Sequence, residues 1–465
     1  MVFIGRQEEL RKFENRFGSA NAELVFLYGR RRIGKTEFLR KFTEDKEALF
    51  FSATESDDNE QRERFKQRML SFGFDGNPAL LNDWESIFMG LKKLRRKGKI
   101  LVIIDEFQHI FTGKKAVPSI LQNVWDEHLL RENIMIVLCG SAMSFIENEV
   151  LGSKNPLYGR ATAIFRMKEL TFPEAAQFFP DYTLKDKVTA YSILGGIPFY
   201  LKQFSPSLSI EENIGQNILS RETVLYNEIE FMLKQELRET ATYNTIISAV
   251  ALGNTRLNDI SQKTMIDASK VNVYLKNLIE LNIVAKEHSI LDTIKNSANV
   301  RSGLYRISDD LFRFWYRFVY PNKDDIETGN TDRLVPDIAE IAGTEHASMC
   351  FEDLCIDHVR KLNAERGLPF TAKQIGRVWG KGFEADVGAT DGKTLLLGEC
   401  KWTNSPVGID VLNSLREKAA AHTELAGYDR YIFCLFSRSG FTQAVRKETE
   451  HGDVMLIGAE EIFGT

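Results

Sequence analysis

Residues 24–41 read Leu24-Val-Phe-Leu-Tyr-Gly29-Arg-Arg-Arg-Ile-Gly34-Lys35-Thr36-Glu-Phe-Leu-Arg-Lys41. An apolar run, a Gly-x4-Gly-Lys-Thr loop and a helical pattern in this order predict a phosphate-binding P-loop. The two glycines let backbone N–H groups turn inward as an anion nest, and the helix N-terminus adds its positive dipole end. An ordinary strand-to-helix connection is the alternative, but the strand before the loop and the helix after it favour the P-loop.

The residues of this loop have predicted roles at a bound nucleotide. Lys35 reaches the β- and γ-phosphates, and the Thr36 hydroxyl is a ligand of Mg²⁺. The loop backbone that surrounds the phosphates comprises Gly29, Arg30, Arg31, Arg32, Ile33 and Gly34. The helix dipole contributes about 0.3–1 kcal/mol and each charge-assisted hydrogen bond about 1.5–3 kcal/mol, so the amides and the lysine dominate the affinity.

The composition predicts a cytoplasmic protein of several domains. A chain of 465 residues is too long for one hydrophobic core, so about two to four domains are expected. The net charge of −5 gives no general attraction to nucleic acid or to anionic membranes, and any such binding would have to be local. The apolar runs have strand length, and the N-terminus lacks the order of a signal peptide, so no membrane partner is expected.

A pair of acids follows a second apolar run. Residues 99–107 read Lys99-Ile-Leu-Val-Ile-Ile-Asp105-Glu106-Phe, which predicts a central parallel strand whose carboxyl end faces a ligand. We expect Asp105 to hold Mg²⁺, directly or through water, and Glu106 to accept a proton from the water that attacks the γ-phosphate. Asp-Glu after a strand is as often a solvated turn, but its position downstream of a P-loop favours the catalytic interpretation.

A third run, Ile134-Met-Ile-Val-Leu-Cys-Gly140-Ser141, predicts another strand of the same sheet. Ser141 either contacts the γ-phosphate or the attacking water, or it caps a helix predicted over 142–150. The sequence does not choose between these two roles.

Several motifs resemble, in content and order, those of archaeal-type ATPases in the signal-transduction (STAND) branch of the AAA+ superfamily. They are Phe3-Ile-Gly-Arg6, Gly29-Arg-Arg-Arg-Ile-Gly-Lys-Thr36, Ile103-Ile-Asp-Glu-Phe-Gln108, Cys139-Gly-Ser141, Pro156-Leu-Tyr-Gly-Arg160 and Leu194-Gly-Gly-Ile-Pro198. The resemblance implies that ATP or ADP, with Mg²⁺, is the cofactor. It also implies that Ile4, Gly5 and Arg6 lie near adenine and that Pro198 lies against the base. Arg160 would sense the γ-phosphate in cis or from a neighbouring copy, so a homo-oligomer or another protein is a candidate partner.

The chain after the P-loop core (1–170) is predicted to be helical before its pattern changes. Short helices broken by glycines and a proline predict a lid at 171–235. Helices at 240–252, 257–264 and 269–281, followed by strands at 283–287 and 304–307, predict a winged helix within 236–320.

In a winged helix, residues 269–281 would form the recognition helix. Its exposed candidates are Lys270, Asn272, Tyr274, Lys276 and Asn277. Residues 240–301 hold seven Lys/Arg and five Asp/Glu, which is far from the basic stripe of a committed DNA binder. A role in contacting DNA and a role in contacting protein therefore both stay open. The aromatic segment 311–320 is expected to pack in a core, although its rings could also stack on bases.

After a linker predicted at 321–337, residues 338–465 follow the order helix, three strands, helix, strand, which is typical of the restriction-endonuclease-like fold. Glu399 and Lys401 are two residues apart on one strand and therefore share a face. Hairpin pairing across the turn at 391–392 brings Asp386 beside Glu399. Closely packed carboxylates repel unless a divalent cation lies between them, so Mg²⁺ or Mn²⁺ is predicted there. Lys401 would orient or deprotonate the attacking water, or stabilise the transition state.

Asp386, Glu399 and Lys401 resemble the PD-(D/E)XK nuclease signature, although the proline that usually precedes the aspartate is missing. The resemblance implies that Glu352, on a preceding helix, joins Asp386 and Glu399 as a metal ligand, and that DNA is a partner. A cross-strand ion pair is the alternative interpretation of the Glu-x-Lys pair.

The sequence thus predicts an α/β protein in which a P-loop NTPase parallel sheet with a helical lid precedes a winged helix and a restriction-endonuclease-like α/β domain. The predicted function is a magnesium-dependent ATP-binding switch or ATPase. Its nucleotide state would control a nuclease-like domain that binds or cuts DNA. The competing prediction is a regulatory nucleotide-binding scaffold or a transcription-type regulator that hydrolyses ATP slowly and has no nuclease activity.

Overall fold

A computed structural model describes residues 3–95, 98–141, 146–147, 156–295 and 303–464. The chain divides into two compact units. The first consists of residues 1–170 with 197–199, and the second of residues 171–196 with 200–465. The helix predicted at 142–150 falls almost entirely outside the described residues.

The first unit is built on a parallel sheet. Its strands are β1 (Glu23–Tyr28), β2 (Ala48–Ser52), β3 (Ile100–Asp105), β4 (Ile134–Gly140) and β5 (Ala163–Arg166). They are all parallel and lie in the order β2-β3-β4-β1-β5. The strands β1, β3 and β4 are buried along their whole length, as their continuous apolar runs predict. The carboxyl ends of these strands therefore meet at one edge of the sheet.

Helices cover this sheet. They span Gln7–Phe17, Lys35–Phe42, Asp58–Phe72, Trp84–Gly90, Gln108–Gly113 and Val117–Val124. Aromatic rings fill the space beneath them: Phe65 packs edge-on against Phe51 and Trp84. The helix Trp84–Gly90 continues as a single tight turn over Leu91–Lys93.

The second unit begins with helices. They span Phe172–Ala175, Leu184–Leu194, Ile210–Asn213, Val224–Glu236, Thr240–Ala251, Leu257–Thr264, Ala268–Glu280, Ile290–Lys295, Asp310–Phe314, Lys323–Glu327, Leu334–Ile341, Ala347–Ala364, Ile409–Ala421, Gln443–Glu448 and Ala459–Phe463. Strands β6 (Val284–Glu287) and β7 (Leu304–Ile307) pair antiparallel. The three helices between Thr240 and Glu280 directly precede β6. Within the described ranges, no helix combines the length and apolar character needed to cross a membrane.

The prediction that residues 321–337 form a linker is wrong, because most of this segment is helical. The helices Lys323–Glu327 and Leu334–Ile341 occupy most of it. Ile326 in the first helix and Ile338 in the second are both buried, so each helix packs an apolar side chain against the protein. By contrast, the expected packing of the aromatic segment 311–320 is confirmed: Trp315 is buried and its indole N–H donates to the carbonyl of Tyr226 at 2.9 Å.

A second sheet forms the C-terminal half of this unit. Its strands are β8 (Gln374–Gly380), β9 (Phe383–Thr390), β10 (Thr394–Lys401), β11 (Arg430–Ser437) and β12 (Val454–Gly458). β8, β9 and β10 are antiparallel neighbours, whereas β10, β11 and β12 are parallel. Helix Ala347–Ala364 packs on one face of the sheet and helix Ile409–Ala421 on the other.

The segment that follows β6 packs against this second sheet. Ile290 and Leu291 belong to the same buried cluster as Val378 and Phe383. A Cβ atom on Gly388 would lie 2.7 Å from the Cδ1 atom of Ile290, so the glycine leaves room for this contact. The β6–β7 hairpin is therefore tied to the sheet by the residues that follow β6.

His346 makes the stability of the second unit dependent on pH. It is fully buried, its Nε2 lies 2.8 Å from the carbonyl oxygen of Ser192, and burial lowers its pKa well below 6.5. The unfolded chain therefore binds the proton more readily as the pH falls below about 6.5, and stability is lost. Relative to His346→Gln, we expect the wild-type unfolding free energy to fall by up to about 1.4 kcal/mol per pH unit between pH 6.5 and 5.

Urea unfolding of both proteins at pH 7.5, 6 and 5 measures this difference in slope. The exposed His451 provides the matched control, His451→Gln. Parallel slopes for the wild type and His346→Gln would contradict the assignment of this pH dependence to His346.

Candidate functional site

The loop between β1 and the helix Lys35–Phe42 has the backbone of an anion nest. Gly34 and Arg32 both adopt left-handed conformations, with φ of 91° and 67°. A Cβ atom on Gly29 would lie 2.6 Å from the carbonyl oxygen of Met167, so only glycine fits there. Backbone N–H groups that follow such left-handed residues turn toward one centre, where an anion binds.

The side chains of this loop meet the acid at the end of β3. The Lys35 ammonium is buried and donates to the carbonyls of Gly29 and Arg30 at 2.7 and 3.0 Å, and burial lowers its pKa. The Thr36 hydroxyl donates to Oδ2 of Asp105 at 2.8 Å. The two side-chain oxygens that are expected to bind Mg²⁺ are therefore in contact. Mg²⁺ prefers hard oxygen ligands of this kind.

Glu106 is held in place by Ser141. Its backbone is left-handed, with φ of 53°, which is unusual for a residue with a side chain. Its Oε2 accepts hydrogen bonds from the hydroxyl and the backbone N–H of Ser141 at 2.8 and 3.2 Å. Ser141 thus contacts the predicted general base. The helix that it was expected to cap falls almost entirely outside the described residues.

The motifs at both ends of the first unit approach the P-loop. Gly5 and Arg6 form a left-handed bend, and the Arg6 guanidinium donates to the carbonyl of Lys168, next to the Met167 carbonyl that approaches Gly29. Pro198 lies beside Gly34, its Cγ atom 3.7 Å from the position a Cβ would take there. Their contacts with adenine, and those of Ile4, stay predictions.

The loop arginines differ in their surroundings. The Arg32 guanidinium stacks 4.0 Å above the ring of Phe199. Arg30 lies 3.7 Å from a carboxylate oxygen of Glu169. Arg31 is exposed, whereas Ile33 is buried. The backbone of this loop therefore lines the nest, whereas the side chains of Arg30 and Arg32 contact residues outside the loop.

The prediction that Arg160 senses the γ-phosphate in cis is wrong. The first residue of β5, Ala163, pairs with Val25 near the beginning of β1, so Arg160 lies at the amino edge of the sheet. The P-loop follows the carboxyl edge, and at about 3.3 Å per residue the strands separate the two. The Arg160 guanidinium instead forms an ion pair with Asp126 at 2.8 Å. Contact with the nucleotide of a neighbouring copy stays a prediction.

In the second unit, the β9–β10 hairpin brings three predicted residues together. Val387 pairs with Gly398, and Oδ2 of Asp386 accepts from the backbone N–H of Cys400 at 2.8 Å. Burial, and then the charge of Glu399, raises the pKa of Asp386. The Lys401 ammonium lies 2.8 Å from Oε1 of Glu399.

The predicted three-carboxylate metal site is not formed. Across the described ranges, no group of three or more Asp, Glu, His or Cys side chains is placed to hold a metal ion. Glu352 forms an ion pair with Arg377 instead, although burial raises the pKa of Glu352 to about 7. Lys401 and Lys418 bind the two oxygens of Glu399 at 2.8 and 3.2 Å. These cations relieve the repulsion that was expected to require a divalent ion.

Two of the five exposed candidates of the predicted recognition helix form hydrogen bonds inside the protein. Tyr274 donates to Glu239, and the Asn277 amide donates to the hydroxyl of Tyr243 at 2.7 Å. The other three, Lys270, Asn272 and Lys276, are exposed. The same helix also exposes Val273, at 58%, so its outer face is mixed rather than uniformly basic.

Comparisons with known proteins agree with the geometry of the first unit. Residues 3–204 match a family described as an ATPase domain predominantly from Archaea. The uncharacterized protein MJECL04 of Methanocaldococcus jannaschii is 32% identical over 469 residues, covering 99% of this chain and 100% of the relative. The chain belongs to this archaeal P-loop ATPase family. Residues 315–421 of the ATPase match a second family, described as archaeal and bacterial proteins of unknown function.

A solved structure shares the fold of part of the ATPase. The Walker-type ATPase PABY2304 of Pyrococcus abyssi has a TM-score of 0.51 at 20% identity, covering 68% of this chain and 96% of that chain. The STAND protein PH0952 of Pyrococcus horikoshii, which carries a tetratricopeptide repeat sensor, has a TM-score of 0.31 at 17% identity, covering 79% of this chain and 51% of that chain. Membership of the STAND branch, the winged helix and the nuclease-like fold stay predictions for this ATPase.

One residue of the ATPase site was missed by the sequence argument. Gln108 is buried, and its amide nitrogen donates to Oε2 of Glu106. It opens the helix Gln108–Gly113, and the left-handed turn at Glu106 brings it back toward β4. The only sequence signal was its place at the end of the Ile103–Gln108 motif, which does not reveal a contact with the glutamate.

Proposed function

We propose that the protein is a magnesium-dependent ATP-binding switch that hydrolyses ATP. The contact between Thr36 and Asp105, with Lys35 and Glu106 at the same sheet edge, is the observation that supports this proposal. The Lys35 ammonium neutralises the β- and γ-phosphates. Bound Mg²⁺, held by Thr36 and Asp105, supplies further charge neutralisation.

The hydrolytic step then uses Glu106 as the general base. A water oxygen bonds to the γ-phosphorus, the bond from that phosphorus to the bridging oxygen breaks, and ADP leaves. The Glu106 carboxylate takes the water proton. The hydrogen bonds from Ser141 and Gln108 fix the direction of this carboxylate, and a fixed acceptor needs no reorganisation during the reaction.

We infer that residues 197–199 transmit the nucleotide state. Pro198 and Phe199 contact Gly34 and Arg32 of the loop. The residues that precede and follow them in the sequence belong to the second unit. A change in the loop conformation on binding or hydrolysis would therefore act on this short segment and, through the chain, on the lid predicted at 171–235.

The controlled part, in this proposal, is the C-terminal region, which binds or cuts DNA. The grouping of Asp386, Glu399 and Lys401 on the β9–β10 hairpin supports a nuclease-like role. A different observation favours the alternative of a regulatory scaffold with slow ATP hydrolysis: Lys401 and Lys418 already neutralise Glu399, and Arg377 neutralises Glu352. A cleavage experiment distinguishes the two.

Wild-type protein and Asp386→Asn should be incubated with single-stranded and duplex DNA in the presence of ATP and Mg²⁺ or Mn²⁺. We expect Asp386→Asn to cut at least about 100-fold more slowly, because the amide removes one of the two carboxylates that the β9–β10 hairpin brings together near Lys401. Its ATP turnover should equal that of the wild type. The exposed aspartate on the following helix provides the control, Asp410→Asn.

If the wild type cuts no DNA with either metal ion while it turns over ATP, the nuclease-like role is lost and the scaffold remains. If Asp386→Asn also loses ATP turnover, the variant has disturbed the fold, and Glu399→Gln replaces it in the comparison.

A further inference from the structure

The second unit contains a cavity of about 750 Å³ that the proposed function leaves unexplained. Arg256 and Tyr305 line it from the part of the chain that contains the β6–β7 hairpin, and Trp379 and Phe383 line it from strands β8 and β9. Its volume is within the range of about 300–1,000 Å³ that is usual for sites binding one small ligand or group. It is too small to enclose a nucleic-acid duplex, but it has room for one or two nucleotides.

The cavity adjoins the carboxylates of the second sheet. Lys418 lines it, and the Lys418 ammonium donates to Oε2 of Glu399 and to the backbone carbonyl of Glu384, at 3.2 Å in both cases. A ligand that fills the cavity and extends past Lys418 would therefore reach Glu399 and its neighbour Asp386.

The cations of the cavity have two different roles. Arg306 and Arg377 are each bound by Asp353 at 2.9 Å and also approach Glu287, so acids already neutralise them and they form a fixed wall. Arg256 is exposed, and it has no ion-pair partner in the part of the chain that the structure describes. Lys418 is bound by Glu399, so Arg256 is the cation available to an anionic ligand.

Trp379 supplies a flat apolar surface. Its side chain is half-buried, and its backbone N–H donates to the hydroxyl of Ser289 at 3.1 Å, which fixes its position. Aromatic rings next to cations are the usual means of binding unpaired bases, because each base has a face that stacks and each linkage carries a phosphate.

We propose that this cavity binds a nucleotide unit of single-stranded DNA. The base lies against Trp379, a phosphate lies near Arg256, and the strand continues past Lys418 toward Asp386, Glu399 and Lys401. The proposal deepens the proposed function of the C-terminal region and rests on it for the identity of the nucleic acid. It commits to a single strand, because the cavity admits unpaired bases only.

Binding is measured by fluorescence anisotropy with fluorescein-labelled oligo-dT of twelve nucleotides, using the full-length protein in EDTA so that no cleavage occurs. We expect Trp379→Ala to weaken single-strand binding by about 5- to 100-fold, the range for loss of one stacking contact. Arg256→Ala should weaken it less and should lower the slope of log affinity against log salt by about one. The exposed Lys263 provides the matched control, Lys263→Ala.

The competitors in the same experiment are a duplex of equal length and thymidine monophosphate. We expect the oligonucleotide to outcompete both. The proposal is overturned if the duplex binds better than the single strand, if thymidine monophosphate binds as tightly as the oligonucleotide, or if both variants bind like the wild type. Arg256→Ala keeps the test valid if Trp379→Ala fails to fold, since Arg256 is a surface residue.

The outcome is separable from that of the cleavage experiment. Single-strand binding that depends on Trp379 and Arg256, together with an absence of cleavage, supports the cavity and rejects the nuclease-like role. Cleavage that is unaffected in both variants supports the nuclease-like role and rejects the cavity.

Discussion

Replacing Lys35 with alanine should weaken ATP binding by at least about 100-fold. The Lys35 ammonium is the buried charge nearest the nest, and charge-assisted hydrogen bonds contribute about 1.5–3 kcal/mol each. The loss of two such bonds to phosphate oxygens costs about 3–6 kcal/mol, and every 1.4 kcal/mol is about a tenfold change in affinity. Isothermal titration calorimetry with ATP and Mg²⁺ measures the change.

Lys41→Ala is the matched control for Lys35→Ala, because Lys41 is an exposed lysine on the same helix. Its affinity for ATP should equal that of the wild type. An affinity of Lys35→Ala within a few-fold of the wild type would show that this ammonium does not contact the phosphates. The assignment of the P-loop would then fail.

Replacing Glu106 with glutamine should separate hydrolysis from binding. Loss of a positioned general base typically slows a reaction by about 100- to 10,000-fold, whereas the amide keeps the shape of the side chain and can still accept from Ser141. We therefore expect ATP turnover to fall in this range while the affinity for ATP changes by less than about threefold. Phosphate release at saturating ATP gives the turnover, and calorimetry gives the affinity.

The control for this second variant is Glu44→Gln, since Glu44 is an exposed acid that follows the P-loop helix. Turnover of Glu106→Gln at the wild-type rate would rule out Glu106 as the base. A joint loss of turnover and affinity would place Glu106 in nucleotide binding instead. Both results would contradict the role proposed here.

Gln108 helps to orient the carboxylate of Glu106. Its amide nitrogen and the Ser141 hydroxyl share Oε2 of Glu106, so the carboxylate is oriented from two sides. A strained left-handed backbone at Glu106 is maintained only if surrounding contacts stabilise it. The orientation of Glu106 therefore depends on residues outside the Asp105–Glu106 pair.

The sequence by itself determined the elements and the local chemistry of the first unit. Continuous apolar runs identify β1, β3 and β4, because a strand buried on both faces has no polar position. The Gly-x4-Gly-Lys-Thr pattern identifies the nest, because its left-handed turn and close backbone approach involve near neighbours in the chain. The hairpin at 383–401 also follows from local signals, since its turn and its alternation set the register of Asp386 against Glu399.

Only the tertiary structure decided which distant residues meet. Arg160 lies at the amino edge of its sheet because β5 pairs with β1 in one particular register, which no local pattern encodes. Glu352 is bound by Arg377, and Tyr274 by Glu239, because helices and strands far apart in sequence pack together. Periodicity shows which side of an element is apolar; the partner that each polar side chain finds is settled only when those elements are assembled in space.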